Sequence, residues 1–101
     1  GYDRVLALNP ASYEAWFNQG VAYKNLNQLE NAVGSYDEAL KIRPDDHRAW
    51  NNRGGVLVNL GRMEEALASF EKVLELNPND PRAQQNRNAV AKRLASQKAS
   101  G

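Results

Sequence analysis

The chain carries one histidine, His47, and no cysteine, so the residue types from which an active site or a metal centre is usually assembled are scarce. His47 follows Asp46 at an expected helix start, where packing or capping accounts for it without catalysis. The paired carboxylates Asp45-Asp46 and Glu64-Glu65 also fall where helices are expected to begin, and negative charge is favoured there by the helix dipole. Gly54-Gly55 lacks the strand context of a nucleotide loop, which leaves close helix packing as its explanation. No metal-ligand spacing and no nucleophile-base pair emerges, and we expect neither an enzyme, nor a metal, nor a cofactor. What does recur is the amide. Asn18, Asn52 and Asn86 stand 34 residues apart, and a side-chain amide donates and accepts hydrogen bonds at once. Such groups hold a partner rather than transform it.

The elements that must position these amides follow from the same spacing. Setting residues 13–46 on 47–80 without a gap makes 12 positions identical, among them Ala15/Ala49, Trp16/Trp50, Gly20/Gly54, Leu26/Leu60, Ala32/Ala66, Ser35/Ser69 and Pro44/Pro78. A fixed period of this length marks a repeat architecture. Within each unit Trp16, Gly20, Tyr23 and Leu26, and then Leu29, Ala32, Tyr36, Ala39 and Leu40, fall at helical spacing, which predicts two amphipathic helices per repeat. Asn27 and Gly61 share one position between them and suit the left-handed conformation that ends a helix. Pro44 and Pro78 stop the second helices, Asp46 and Asp80 can cap the next ones, and Pro81 suits a first helical position. Gly20 with Ala32, and Gly54 with Ala66, should let the two helices of a hairpin approach closely, so a bulky replacement of Gly54 should clash.

Trp16, Gly20, Tyr23, Ala32, Tyr36, Ala39 and Pro44, repeated as Trp50, Gly54, Leu57, Ala66, Phe70, Val73 and Pro78, resemble the tetratricopeptide repeat pattern. The resemblance implies an all-α fold, a helical-repeat solenoid of antiparallel helix pairs. The expected organisation is the second helix of a truncated preceding repeat at 1–9, repeats at 13–46 and 47–80, a capping helix at 81–98 and a tail at 99–101. In the capping helix Gln84 and Asn88 replace the tryptophan and the packing glycine, which leaves a polar outer face suited to the end of a stack. At the other end Tyr2, Val5, Leu6 and Leu8 form an apolar stripe whose partner helix is missing. We expect an excerpt of a longer array, self-association through that stripe to give a homo-oligomer, or both.

The resemblance further implies that the first helix of each pair lines a concave surface. The residues expected to contact a peptide there are Phe17, Asn18, Val21 and Lys24 from the first repeat, Arg48, Asn51, Asn52 and Asn59 from the second, and Arg82, Asn86 and Arg93 from the cap. Asn18, Asn52 and Asn86 would then form an asparagine ladder reading an extended backbone, with helix-to-helix hydrogen bonding as the alternative use of the same residues. Lys24, Arg48, Arg82, Lys92 and Arg93 would oppose Glu14 alone, so the hollow is expected to be basic and to favour an acidic peptide or a terminal carboxylate. Some family members grip the carboxylate tail of chaperones with a clamp of Lys and Asn, then Asn, then Lys and Arg. Asn52 and Arg82 match two of those positions, but Phe17, Val21 and Asn86 replace the others, which disfavours that ligand.

Composition sets the outer bounds. With 42% hydrophobic and 25% charged residues in 101, the chain is suited to one small folded domain rather than to disorder. The net charge of +1 and a tail without interleaved aromatics disfavour nucleic acid, no apolar run is long enough for a membrane partner, and the absence of cysteine and of a signal peptide leads us to expect a cytoplasmic location. Two functions stay open on the sequence: a protein-protein interaction scaffold that binds an extended acidic segment, or a structural spacer and self-associating segment of a longer array with no ligand of its own.

Overall fold

The computed structural model describes residues 12–100, all of whose regular structure is helical: α1 (Tyr13–Asn25), α2 (Leu29–Ile42), α3 (His47–Asn59), α4 (Met63–Leu76) and α5 (Pro81–Ser100). Tyr2, Val5, Leu6 and Leu8, with the helix expected at 1–9, lie outside the described residues. Each helix packs on the next in sequence, and the principal extents of 49 × 27 × 18 Å are those of a stack rather than a ball.

The helix ends are written locally. Ser12 Oγ accepts from the N–H of Ala15 at 3.3 Å, and Asp46 Oδ1 accepts from that of Arg48 at 2.9 Å. Asp80 Oδ1 accepts from both Arg82 and Ala83, at 3.0 and 3.1 Å, just ahead of Pro81 at the first helical position. The turns inside the hairpins need a left-handed residue, and Asn27 (φ 61°) and Gly61 (φ 78°) supply it. Around each of them the next N–H reaches back to the helix, Gln28 to Tyr23 O at 2.8 Å and Arg62 to Leu57 O at 2.9 Å, which satisfies carbonyls at the ends of α1 and α3, while α2 and α4 begin without a side-chain cap. α5 runs two residues past the expected boundary at 98. Between Leu94 and Ser100 no proline or glycine interrupts it.

The core is a single seam through both hairpins: Ala32, Val33 and Tyr36 from α2, Val56 and Leu57 from α3, Met63, Ala66 and Phe70 from α4, closed by Val90 from α5. Its tightest contacts are an aromatic ring seated on a glycine. A Cβ on Gly20 would lie 2.7 Å from Tyr36 Cε1, and one on Gly54 would lie 2.6 Å from Phe70 Cε1. Both rings are fully buried, so neither can step aside.

Polar contacts then fix one hairpin on the next. Arg53 on α3 donates through Nε to Asp37 Oδ1 of α2 at 2.6 Å and through an Nη to Ser69 Oγ of α4 at 2.7 Å, tying three helices. The same place in the first repeat holds Gln19, whose Oε1 accepts from Ser35 Oγ at 3.1 Å. On the other edge Arg62 joins Glu30 of the first hairpin to Glu65 of the second, at 2.9 and 2.6 Å. Trp50 Nε1 donates to Pro44 O at 2.8 Å, and Gln84, which replaces tryptophan in α5, makes the same bond to Pro78 O at 2.8 Å. The cap therefore keeps the joint while discarding the apolar bulk, and Gln84 and Asn88 are exposed.

Replacing a helical glycine by alanine gains roughly 1 kcal/mol of helix propensity, whereas overpacking a core costs roughly 1–3 kcal/mol. Gly54→Ala should therefore lower stability by about 1–2 kcal/mol. Gly34→Ala, at an exposed helical site with no heavy atom within 4 Å of the new methyl, should raise it by about 0.5–1 kcal/mol. Urea unfolding followed by circular dichroism measures both, and equal shifts of the two variants would show that the glycine contact is not tight.

Candidate functional site

The first helix of each hairpin and the cap helix present one continuous polar groove, formed of two lobes that share Asn51, Asn52 and Arg82. The inner lobe, about 260 Å³, is lined by Lys24, Asn51, Asn52, Gly55, Val56, Asn59, Arg82 and Asn86. The outer lobe, about 390 Å³, is lined by His47, Arg48, Asn51, Asn52, Asp80, Pro81 and Arg82. Seven of the residues expected at the site are thereby brought together: Lys24, Arg48, Asn51, Asn52, Asn59, Arg82 and Asn86.

Helix geometry explains why these side chains reach the groove. Residues two apart on a helix point about 200° from each other, so seating Gly54 on the Phe70 ring turns Asn52 away from that contact. Gly55 is exposed and has no heavy atom within 4 Å of an added Cβ, which leaves the middle of the inner lobe open. Buried Val56 closes its floor.

The other expected residues sit elsewhere. Asn18 is exposed on α1 and lines neither lobe, so of the three periodic amides only Asn52 and Asn86 share a depression. Phe17 and Val21 pack against the core; Phe17 lies 5.7 Å from the Tyr13 ring and edge-on to Tyr36 at 5.9 Å. Arg93 is exposed on α5, outside both lobes.

The electrostatics differ from a uniformly basic hollow. Arg48 lines the outer lobe, but its guanidinium turns back to Asp46, at 3.4 Å to Oδ1 and 3.3 Å to Oδ2, and rests over Phe17 at 5.4 Å. Burial would raise the Asp46 pKa, yet the adjoining Tyr13 hydroxyl and the side chain and backbone N–H of Arg48 outweigh it and hold the carboxyl below its ordinary value. Burial pushes the Tyr13 hydroxyl up, and the adjoining Asp46 carboxylate adds to the shift. Burial likewise raises the pKa of Tyr36, against an opposing pull from Asn52. Asp80 adds a second carboxylate at the mouth of the groove. Sequence reasoning placed both aspartates as caps and overlooked them as groove charges, although their position next to Arg48 and Arg82 was the available signal.

The arrangement offers hydrogen-bond donors and acceptors and positive charge, with no nucleophile-base pair among the groove residues. Among the described residues no group of three or more His, Cys, Asp or Glu is placed to hold a metal ion, and no helix is long and apolar enough to cross a membrane.

Residues 2–47 and 23–81 match the sequence pattern described as Tetratricopeptide repeat. No curated protein matches the chain. Among solved structures it is similar to the first TPR of Spaghetti (RPAP3) bound to the HSP90 peptide SRMEEVD, at 26% identity and TM-score 0.85, over 93% of this chain and 75% of that one. It is similar also to the second TPR domain of human RPAP3 in complex with the HSP70 peptide SGPTIEEVD, at 27% identity and TM-score 0.82, over 89% and 75%. MamA superimposes with TM-score 0.88 at 20% identity, over 93% of this chain and 55% of that one, a likeness of fold alone.

Asp46 stabilises the folded state while it is ionised there and protonated more readily in the unfolded chain. Because its folded pKa is depressed, that contribution is present above the unfolded value of about 4 and is lost as pH falls through the lower, folded one. Asp46→Ala should cost about 0.5–2 kcal/mol at neutral pH through the lost cap. Asp46→Asn should cost less there and should flatten the acid limb of a stability-pH curve below about pH 4, measured by thermal melts across buffers. An unaltered acid limb would exclude this carboxylate as a source of acid sensitivity.

Proposed function

The chain belongs to the tetratricopeptide repeat family, a protein-interaction fold, and from that premise we propose that its two-lobed groove binds an extended acidic segment of another protein. The observation that carries this reading is the inner lobe: four asparagines, Lys24 and Arg82 converge on one open depression that no carboxylate lines. Amides of that kind can pair with both the N–H and C=O groups of an extended backbone, and the two cations select acidic side chains and speed their encounter. The peptides held by two of the similar structures, SRMEEVD and SGPTIEEVD, both contain adjacent glutamates. No catalysis is part of the proposal; the groove would act by bringing a partner to whatever else the protein carries.

Charge reversal at Arg48 is a less direct test, because its guanidinium is already paired with Asp46. Lys24 and Arg82 form no ion pair among the described residues, so they report on the groove itself. Nine-residue peptides, immobilised in acidic, neutral and basic pools, should capture the protein only in the acidic pool, with retention falling as salt rises. Lys24→Glu with Arg82→Glu, and separately Gly55→Leu, should each weaken capture roughly tenfold or more while leaving helicity unchanged. Undiminished capture by both variants would move the site elsewhere, and a failure of every pool to bind would favour the spacer function.

A further inference from the structure

The two lobes of the groove are not electrically alike. In the outer lobe Arg48 is paired with Asp46 at 3.3 Å, and Asp80 lines the lobe together with Arg82 and His47. Positive and negative groups there largely offset one another. In the inner lobe Lys24 and Arg82 face the same space, no carboxylate lines it, and neither side chain forms an ion pair among the described residues. The inner lobe therefore presents the positive charges of Lys24 and Arg82, the latter shared with the outer lobe and its Asp80.

A glutamate or aspartate from a bound segment supplies one negative charge and two oxygens, and would leave one of these cations unmatched. A phosphorylated side chain supplies a charge of about −1.5 to −2 at neutral pH and three strong acceptor oxygens. The inner lobe matches the second group better on each count. It holds a guanidinium, which pairs bidentately with phosphate, and an ammonium, which acts as a point charge. Around them Asn51, Asn52, Asn59 and Asn86 add amide donors. The open space at Gly55 gives a tetrahedral group room that a planar carboxylate does not need.

We propose that the inner lobe is a recognition pocket for a phosphorylated serine or threonine within the segment held by the groove. This rests on the acidic-peptide reading and narrows it: the determinant at this lobe is a dianion, and phosphorylation of the partner switches binding on.

The experiment compares three sets of nine-residue peptides, degenerate at every position but the central one, which is phosphoserine, glutamate or serine. It is run on the 101-residue chain at both pH 7.5 and pH 5.5, with the glutamate set reporting whatever pH dependence the groove itself, His47 included, contributes. Asp46, Asp80, Arg48, Lys24 and Arg82 are the other charged groups of the groove and its mouth. Phosphoserine peptides should bind about tenfold more tightly than glutamate peptides at pH 7.5. That preference should shrink toward pH 5.5 as the phosphate passes its second ionisation near about 6 and becomes a monoanion. Lys24→Gln and Arg82→Gln should each remove most of the preference, with circular dichroism confirming that both variants are folded. Equal affinity for phosphoserine and glutamate, or a preference that survives both substitutions, overturns the phosphate pocket and leaves the acidic groove standing. Binding to none of the three sets overturns both.

Discussion

The contact on which everything else rests is an aromatic ring pressed against a glycine backbone, Tyr36 on Gly20 and Phe70 on Gly54. With a hydrogen in place of a side chain, the two helices of each hairpin come close enough for the small Ala32 and Ala66 to be completely buried between them. That closeness sets the rotation of α1 and α3 about their own axes, because only one face of each can receive the ring. The opposite faces must then point away from the hairpin core, and there the chain places its amides and its cations. The groove is thus a by-product of core packing, and its polar residues are free to vary without disturbing the seam that orients them.

Joining the hairpins is a separate problem, solved with polar groups. The bond from Trp50 or Gln84 to a proline carbonyl recurs at both described joints and satisfies a carbonyl freed by the end of the preceding helix. Arg53 and Arg62 add charged ties at only one joint, where Gln19 and Gln28 hold the corresponding places in the first repeat. The helix starts bring a cost to the groove. Aspartate is an excellent N-cap, but on α3 and α5 it sets a carboxylate beside the very arginines that give the groove its charge, and the outer lobe is neutralised as a result.

The architecture was legible because the 34-residue register repeats every structural device: capping residue, packing glycine, left-handed turn residue and terminating proline. Since that register also fixes which helix face is buried, it puts Lys24, Asn51, Asn52, Asn59, Arg82 and Asn86 on the faces that line one groove. What it could not give were choices among rotamers. That Arg48 bends back over Phe17 to Asp46 depends on local geometry between neighbours, and the exposure of Asn18 outside the lobes likewise depends on surroundings that a periodic pattern does not encode. The tie from Arg53 to Asp37 and Ser69 left a faint trace, opposite charges 16 residues apart, that only becomes meaningful once the helices are known to be adjacent.

The tie made by Arg53 gives the superhelix a mechanical character. A stack of hairpins behaves as a spring, and its stiffness against bending resides in the joints, where one guanidinium here grips a helix on either side of its own. The Arg53 side chain is only 15% exposed but Asp37 is 45% exposed, so salt should slacken the grip on α2 while the bond to buried Ser69 on α4 stays shielded. The helices are then held unequally, more firmly through the buried serine than through the carboxylate that water can reach.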